Sequence, residues 1–212
     1  MTDLASYFPM LRLPEEEKDA ERATIDAIMM IHELVDRFAA ALALYDQTEV
    51  ELNRFTGGLM FQDGDRRNRL VRWLQIAARD GAFTIFHLGK ALQFLSKTTS
   101  GSPTLAEYVS RKHLKAAREI LNSTFPDADQ LRDAIGHVAE IMTDPRQDQK
   151  HSAKTDQGGS ILQMGNLQGR RLVSTMHGKQ VSYELSAASL KAVEAIRDEV
   201  VVAVKAVENR QA

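Results

Sequence analysis

The chain has 212 residues, 43% of them hydrophobic and 26% charged, with a formal net charge of −2; this is globular usage, not that of a disordered or membrane-embedded chain. It has no cysteine, which excludes disulfides and thiolate metal sites and fits a reducing compartment such as the cytoplasm. The slight negative charge excludes attraction of nucleic acid by the molecule as a whole. It leaves two local basic strips, Arg66, Arg67, Arg69 and Arg72, and Arg111, Lys112, His113 and Lys115, each of which taken alone reads as a solvated helix face. No basic region followed by an apolar stretch opens the sequence, so no secretory signal is expected, and the longest apolar run, Phe38 to Tyr45, is too short to span a bilayer.

Pro14-Glu15-Glu16-Glu17 opens the first predicted helix, because proline suits a first turn and carboxylates complement the positive helix end. Ile28, Ile31, Val35, Phe38, Leu42 and Tyr45 then recur at helical spacing, with an extension predicted through Phe55 before Gly57-Gly58. After Asp63-Gly64 a second long helix carries Leu70, Leu74, Ala77, Gly81, Thr84, Leu88, Ala91 and Leu95 as a sustained heptad. A second stripe of Trp73, Ile76, Phe83 and Phe94 predicts that this helix is buried on two sides, with Asp80 and His87 as satisfied buried groups. Thr98 to Ser102 reads as a loop, and Ser102-Pro103 as an N-cap followed by proline at the first helical position. A less regular helical stretch covers Leu105 to Ser123, with a restart at Ser110.

The next helix begins after Phe125-Pro126, with Asp127 as cap. On it Leu131, Ala134, Ile135, Val138, Ile141 and Met142 share one face, while Arg132, Asp133, Gly136, His137 and Glu140 share the other. Thr143 to Gly159 reads as a mobile polar loop. Ile161 to Met164, Arg171 to Met176 and Val181 to Leu185 read as three strands separated by turns at Gly165 to Gly169 and at His177-Gly178-Lys179. Ser186 caps a final helix with Leu190, Val193, Ile196, Val200, Val204 and Val207 as its apolar positions. The fold class is therefore mainly α: one domain over residues 1–212, a helical bundle with a small three-stranded antiparallel β-meander at about 160–185 before the C-terminal helix.

The sequence carries no P-loop, dinucleotide fingerprint or Gly-x-Ser-x-Gly elbow, and no Glu stands three residues before a His, so neither a cofactor nor a metal site is expected. His113 reads as a solvated side chain and His32 as a packed one. Arg132, Asp133 and His137 stand apart because they lie on a helix with a clean apolar back. The same Arg-to-His spacing at Arg146, Arg170 and Arg171 falls in a polar loop or a strand.

Arginine, a polar residue, then histidine after four intervening residues on a late helix resembles the signature of the HEPN (higher eukaryotes and prokaryotes nucleotide-binding) domains, which are helical bundles. Many members have asparagine where this chain has Asp133. The resemblance implies a metal-independent endoribonuclease, or a catalytically silent relative that binds RNA or nucleotides. It implies a homodimer whose motif helices meet to form one composite site. It also implies that His137 moves the ribose 2′-hydroxyl proton or serves the leaving oxygen while Arg132 holds the phosphate. An antitoxin or nucleotidyltransferase partner, and a toxin–antitoxin or phage-defence role, follow from the resemblance only.

On one ideal helix Arg132 and His137 are about 140° and roughly 7.5 Å apart, too divergent for one phosphate, whereas two helices crossing at Gly136 bring the arginine of one to the histidine of the other. Asp133, four residues before His137, is placed to orient the imidazole. The plain alternative is a pair of surface ion pairs, Arg132 with Asp129 and His137 with Asp133, on a non-catalytic homodimeric interaction module.

Overall fold

Pro14 and the three glutamates after it open the first helix as a 3-10 turn, Glu15–Glu17, that runs directly into α1, Lys18–Thr56. The computed structural model describes residues 13–56, 64–155 and 158–205; Gly57-Gly58, Asp63 and Val207 lie outside them. α2 (Gly64–Gly101), α3 (Pro103–Tyr108), α4 (Arg111–Thr124), α5 (Ala128–Gly136), α6 (Val138–Thr143) and α7 (Pro145–His151) follow. The strands β1 (Ala153–Lys154), β2 (Ser160–Ile161), β3 (Asn166–Gln168), β4 (Arg171–Met176) and β5 (Lys179–Glu184) precede α8, Ala187–Lys205. The chain is mainly helical, with a small three-stranded antiparallel sheet before the last helix, as the sequence pattern predicts. Among the described residues no helix is long and apolar enough to cross a membrane.

Contacts divide the chain into two compact units. One comprises the described residues up to Asp36, His87–Pro126 and those from Lys191 onward; the other comprises Arg37–Phe86 and Asp127–Leu190.

In the first unit Ile28, Ile31 and Val35 of α1, Leu88 and Leu95 of α2, and Ile196 of α8 are buried. Each such side chain contributes roughly 1.5–3 kcal/mol on leaving water, which outweighs differences in helix propensity. Ser102 caps α3 as expected, its hydroxyl accepting from the Leu105 amide at 3.1 Å with Pro103 next in the chain. The Glu17 carboxylate accepts from the Ser102 hydroxyl and from the Thr104 amide and hydroxyl, and these bonds hold it below the usual carboxylate range. Of the loop expected at Thr98 to Ser102, Thr98 to Gly101 is instead the last turn of α2. The hydroxyls of Ser96 and Thr99 fold back onto the carbonyls of Leu92 and Leu95, so polar side chains there do not break the helix. His32 is packed, and burial followed by the Arg197 charge lowers its pKa.

In the second unit β3, β4 and β5 form an antiparallel sheet in that order, and α5 packs against β4 and β5. β4 is buried from Leu172 to Met176, so its polar residues need internal partners. Ser174 Oγ accepts from the Gly165 amide at 2.8 Å, and Thr175 Oγ1 from the Gln163 amide at 3.0 Å. The first strand of the meander is Asn166–Gln168, not Ile161 to Met164, because Gly165 and Gly169, both at positive φ, bound a strand where a single turn was expected. The β4–β5 register pairs Met176 with Lys179, leaving His177 and Gly178, at φ of 50° and 76°, as a two-residue turn of the type that matches strand twist.

Three further expectations are corrected. In the second stripe of α2, Trp73, Ile76 and Phe94 are exposed, at 48%, 57% and 49%, and Phe83 is half-buried, so the helix buries its heptad face with the adjoining Ala78, Ala82, Ile85 and Leu92 and leaves most of the second stripe open. Asp80 forms a bidentate surface pair with Arg37, whose Nε lies 3.0 Å and 3.1 Å from the carboxylate oxygens, and His87 is exposed. The stretch from Thr143 to Gly159, expected as a mobile loop, contains α7 and the β1 strand that pairs with β2. Its amphipathic signal is carried by His151 and Ala153, both buried; Asp156 and Gln157 lie outside the described residues.

The tightest joint in this unit is Tyr183, whose buried hydroxyl donates to the Ala78 carbonyl on α2. A Cβ at Gly81 would overlap that hydroxyl and stand 3.2 Å from Leu185 Cδ1. Gly81→Ala is therefore expected to cost about 1–3 kcal/mol by overpacking. Gly136→Ala, where the added methyl meets nothing within 4 Å, should leave stability unchanged or raise it. Chemical denaturation of the two variants checks the contrast.

A second prediction concerns pH. His151 Nδ1 accepts from the His177 amide at 3.3 Å, so its proton sits on Nε2 and is given to Gln147 Oε1 at 3.2 Å. Its ring lies 4.9 Å from that of His177, and burial, then the charges of His177, Lys150 and His137, lower its pKa. A base with a depressed folded pKa supplies stability that is complete above its unfolded value of about 6.5 and is lost as pH falls through the folded value. Melting temperature should therefore fall as pH is lowered below about 6.5. His151→Gln should flatten that slope but not abolish it, since His32 titrates in the same sense; an unchanged slope would remove His151 from the account.

Candidate functional site

α5 lies on β4 and β5 through Leu131, Ala134 and Ile135, all buried, which leaves its other face to solvent. The helix does not continue to Met142 as the periodicity predicts; it ends at Gly136, and α6 begins at Val138. The break is one residue wide. His137 takes φ −103° and ψ 19°, while its amide still bonds the Asp133 carbonyl at 3.0 Å and its carbonyl still accepts from Ile141 at 3.0 Å. Glycine's weak helix propensity favours the break at this point. Ile141 remains buried beyond it, and the Met142 side chain lies outside the described part.

Arg132 is held by two contacts. Its guanidinium carbon stands 5.1 Å from the ring centroid of Phe86 on α2, and Nη1 donates to Asp133 Oδ1 at 2.8 Å. Stacking on an aromatic face fixes the plane of the cation without using its N–H donors. Its carboxylate partner is thus Asp133, not Asp129.

His137 is oriented by Glu140, whose Oε2 lies 2.8 Å from Nδ1, and not by Asp133 as expected. The side-chain carboxylate of Asp133 is engaged by Arg132, and the turn at His137 carries the imidazole toward the following helix. With Nδ1 given to a carboxylate, the second ring nitrogen is the one placed to exchange a proton. Both ion pairs are at the surface, with side-chain accessibilities of 39% and 45% for Arg132 and Asp133, and 45% and 74% for His137 and Glu140.

Gly136 lies between the two, exposed, with nothing within 4 Å of where a Cβ would stand. Neither a positive φ nor a close neighbour demands glycine there, so the fold uses it only for the break.

Sequence reasoning placed Arg132, Asp133 and His137 on one exposed surface, and the structure has them there. It missed Glu140 as the imidazole's partner, although Glu140 stands on the same polar face three residues on. It also missed Phe86, which reaches Arg132 from a distant part of the chain and left no local signal. Of the basic strips, Arg66 pairs with Glu51 at 3.8 Å, and His113 is not simply solvated but bonds Glu199 on α8 at 2.7 Å. Among the described residues no group of three or more His, Asp or Glu side chains is arranged to hold a metal ion.

Compared with protein-family models, with curated proteins and with solved structures, the chain matches none.

Proposed function

We propose that the exposed face of α5 and α6 binds RNA in a homodimer and cleaves it without a metal, with Arg132 and His137 as the reacting pair. The observation that carries this reading is Gly136, an open position between an aromatic-backed arginine and a carboxylate-oriented histidine. It lets a second helix, or a strand of RNA, approach the backbone closely.

In the proposed step the 2′-oxygen of ribose bonds to phosphorus as His137 takes its proton. The bond to the 5′-oxygen then breaks, that oxygen takes a proton from solvent, and a 2′,3′-cyclic phosphate remains. Arg132 stabilises the charge that grows on the phosphate, displacing Asp133 to do so. Asp133 therefore restrains the arginine, and Glu140 orients the base. RNA binding without cleavage is the outcome expected of the alternative, a non-catalytic homodimeric module; the pairing of both Arg132 and His137 with acids of their own chain favours it.

Incubating labelled RNA with the protein in excess chelator separates the two. His137→Ala should slow cleavage by about 100-fold or more. Arg132→Ala should weaken binding by about tenfold as well as slow cleavage. Asp133→Asn should tighten RNA binding by freeing the guanidinium. Mixed Arg132→Ala and His137→Ala chains should regain partial activity, because one intact pair forms across the dimer. Cleavage that stops in chelator, or that survives both alanine changes, would sink the mechanism. A protein monomeric at about tens of micromolar would remove the two-chain site.

A further inference from the structure

A cleft of about 190 Å³ lies in the first unit, between the last turns of α2 and the face of α4. Three cations one helical turn apart, Arg111, Lys115 and Arg118, line it from α4; Ser96, Thr99 and Ser100 line it from α2, over a floor at Leu114. The charge is poorly compensated. Lys115 has Glu119 at 3.6 Å, and among the described residues Arg111 and Arg118 have no carboxylate partner. α4 also starts without an acid in its first turn and without a side-chain cap from Ser110, so arginine and lysine stand at the positive end of the helix dipole, where they are unfavourable.

A structural role for these cations would be to neutralise the carbonyl end of α2, whose last turn has no basic residue. None of the three donates a hydrogen bond to a carbonyl there among the described residues. Two of the hydroxyls, Ser96 and Thr99, are spent on their own helix, which leaves the Ser100 hydroxyl and the α4 cations as the donors facing the cleft.

We infer that this cleft binds a phosphoryl group. Two guanidinium groups and an ammonium on one wall match the charge and the several acceptor oxygens of a phosphate or diphosphate. The lining has no aromatic side chain on which a base would stack, so the recognised group is the phosphate and not the nucleobase. The phosphate is carried either by a small free anion or by the backbone of a nucleic-acid strand. The inference does not rest on the Arg132–His137 reading, since no residue is shared.

Titration calorimetry of the full chain with inorganic pyrophosphate, with sulfate as control at matched ionic strength, tests it. Saturable binding is expected, weakened at least about tenfold in the double variant Arg111→Gln/Arg118→Gln. The same pair of changes at Arg66 and Arg67 should leave it unaltered. Lys115→Glu, at an exposed position, is a second route to the same loss should the double variant melt early. Binding that does not saturate, that matches sulfate, or that survives both the double variant and Lys115→Glu overturns the site. Displacement of pyrophosphate by an RNA oligonucleotide of about a dozen nucleotides, in an Arg132→Ala/His137→Ala background, identifies a strand as the source; pyrophosphate binding without displacement identifies a free anion.

Discussion

Two phenol hydroxyls tie the small sheet to the helices beneath it, and the candidate surface depends on both. Tyr183 on β5 reaches the Ala78 carbonyl on α2, in a gap that exists only because residue 81 has no side chain. Tyr45 on α1 donates to the Gly169 carbonyl at 2.7 Å, in the turn between β3 and β4. Arg170, the next residue in that turn, lies over the Tyr45 ring and is paired with Asp46 at 2.7 Å and Glu49 at 2.5 Å. Each bond is worth about 1 kcal/mol by itself. Their value is positional: α5 rests on β4 and β5, so the placement of Arg132 follows from where the sheet is pinned.

Much of this was legible in the sequence where one residue type dictates one environment. Every heptad position named on α2, from Leu70 to Leu95, is buried, as are the six stripe positions on α1 from Ile28 to Tyr45. Ser102-Pro103 and Ser186 start helices because hydroxyls satisfy amides that the helix cannot. Failures came where tertiary partners decide. Ser96 and Thr99 stay helical by bonding the carbonyls of Leu92 and Leu95 one turn back, and Pro145 to Lys154 folds because His151 and Ala153 have a sheet to pack against. Composition there resembled a loop, since α7 is polar and its Arg146, Gln149 and Lys150 face solvent. At the motif, spacing located Arg132 and His137, but the helix break after Gly136 goes with His137 meeting Glu140 instead of Asp133.

Those acids set the character of the surface. Exposed ion pairs contribute about 0–1 kcal/mol, so Asp133 and Glu140 hold their partners in place without locking them. A phosphate can therefore replace Asp133 at modest cost, whereas a neutral surface would leave both long side chains to wander. Under the proposed function, orientation supplied in advance lowers the entropy lost on binding RNA.

Trp73 is the sole tryptophan of the chain and stands 48% exposed on the stripe of α2 that the sequence pattern had assigned to the interior. The indole is consequently a built-in optical reporter of that helix face. Its emission belongs to one residue in one environment, open to quenching from water, and a blue shift would register whatever covers the stripe.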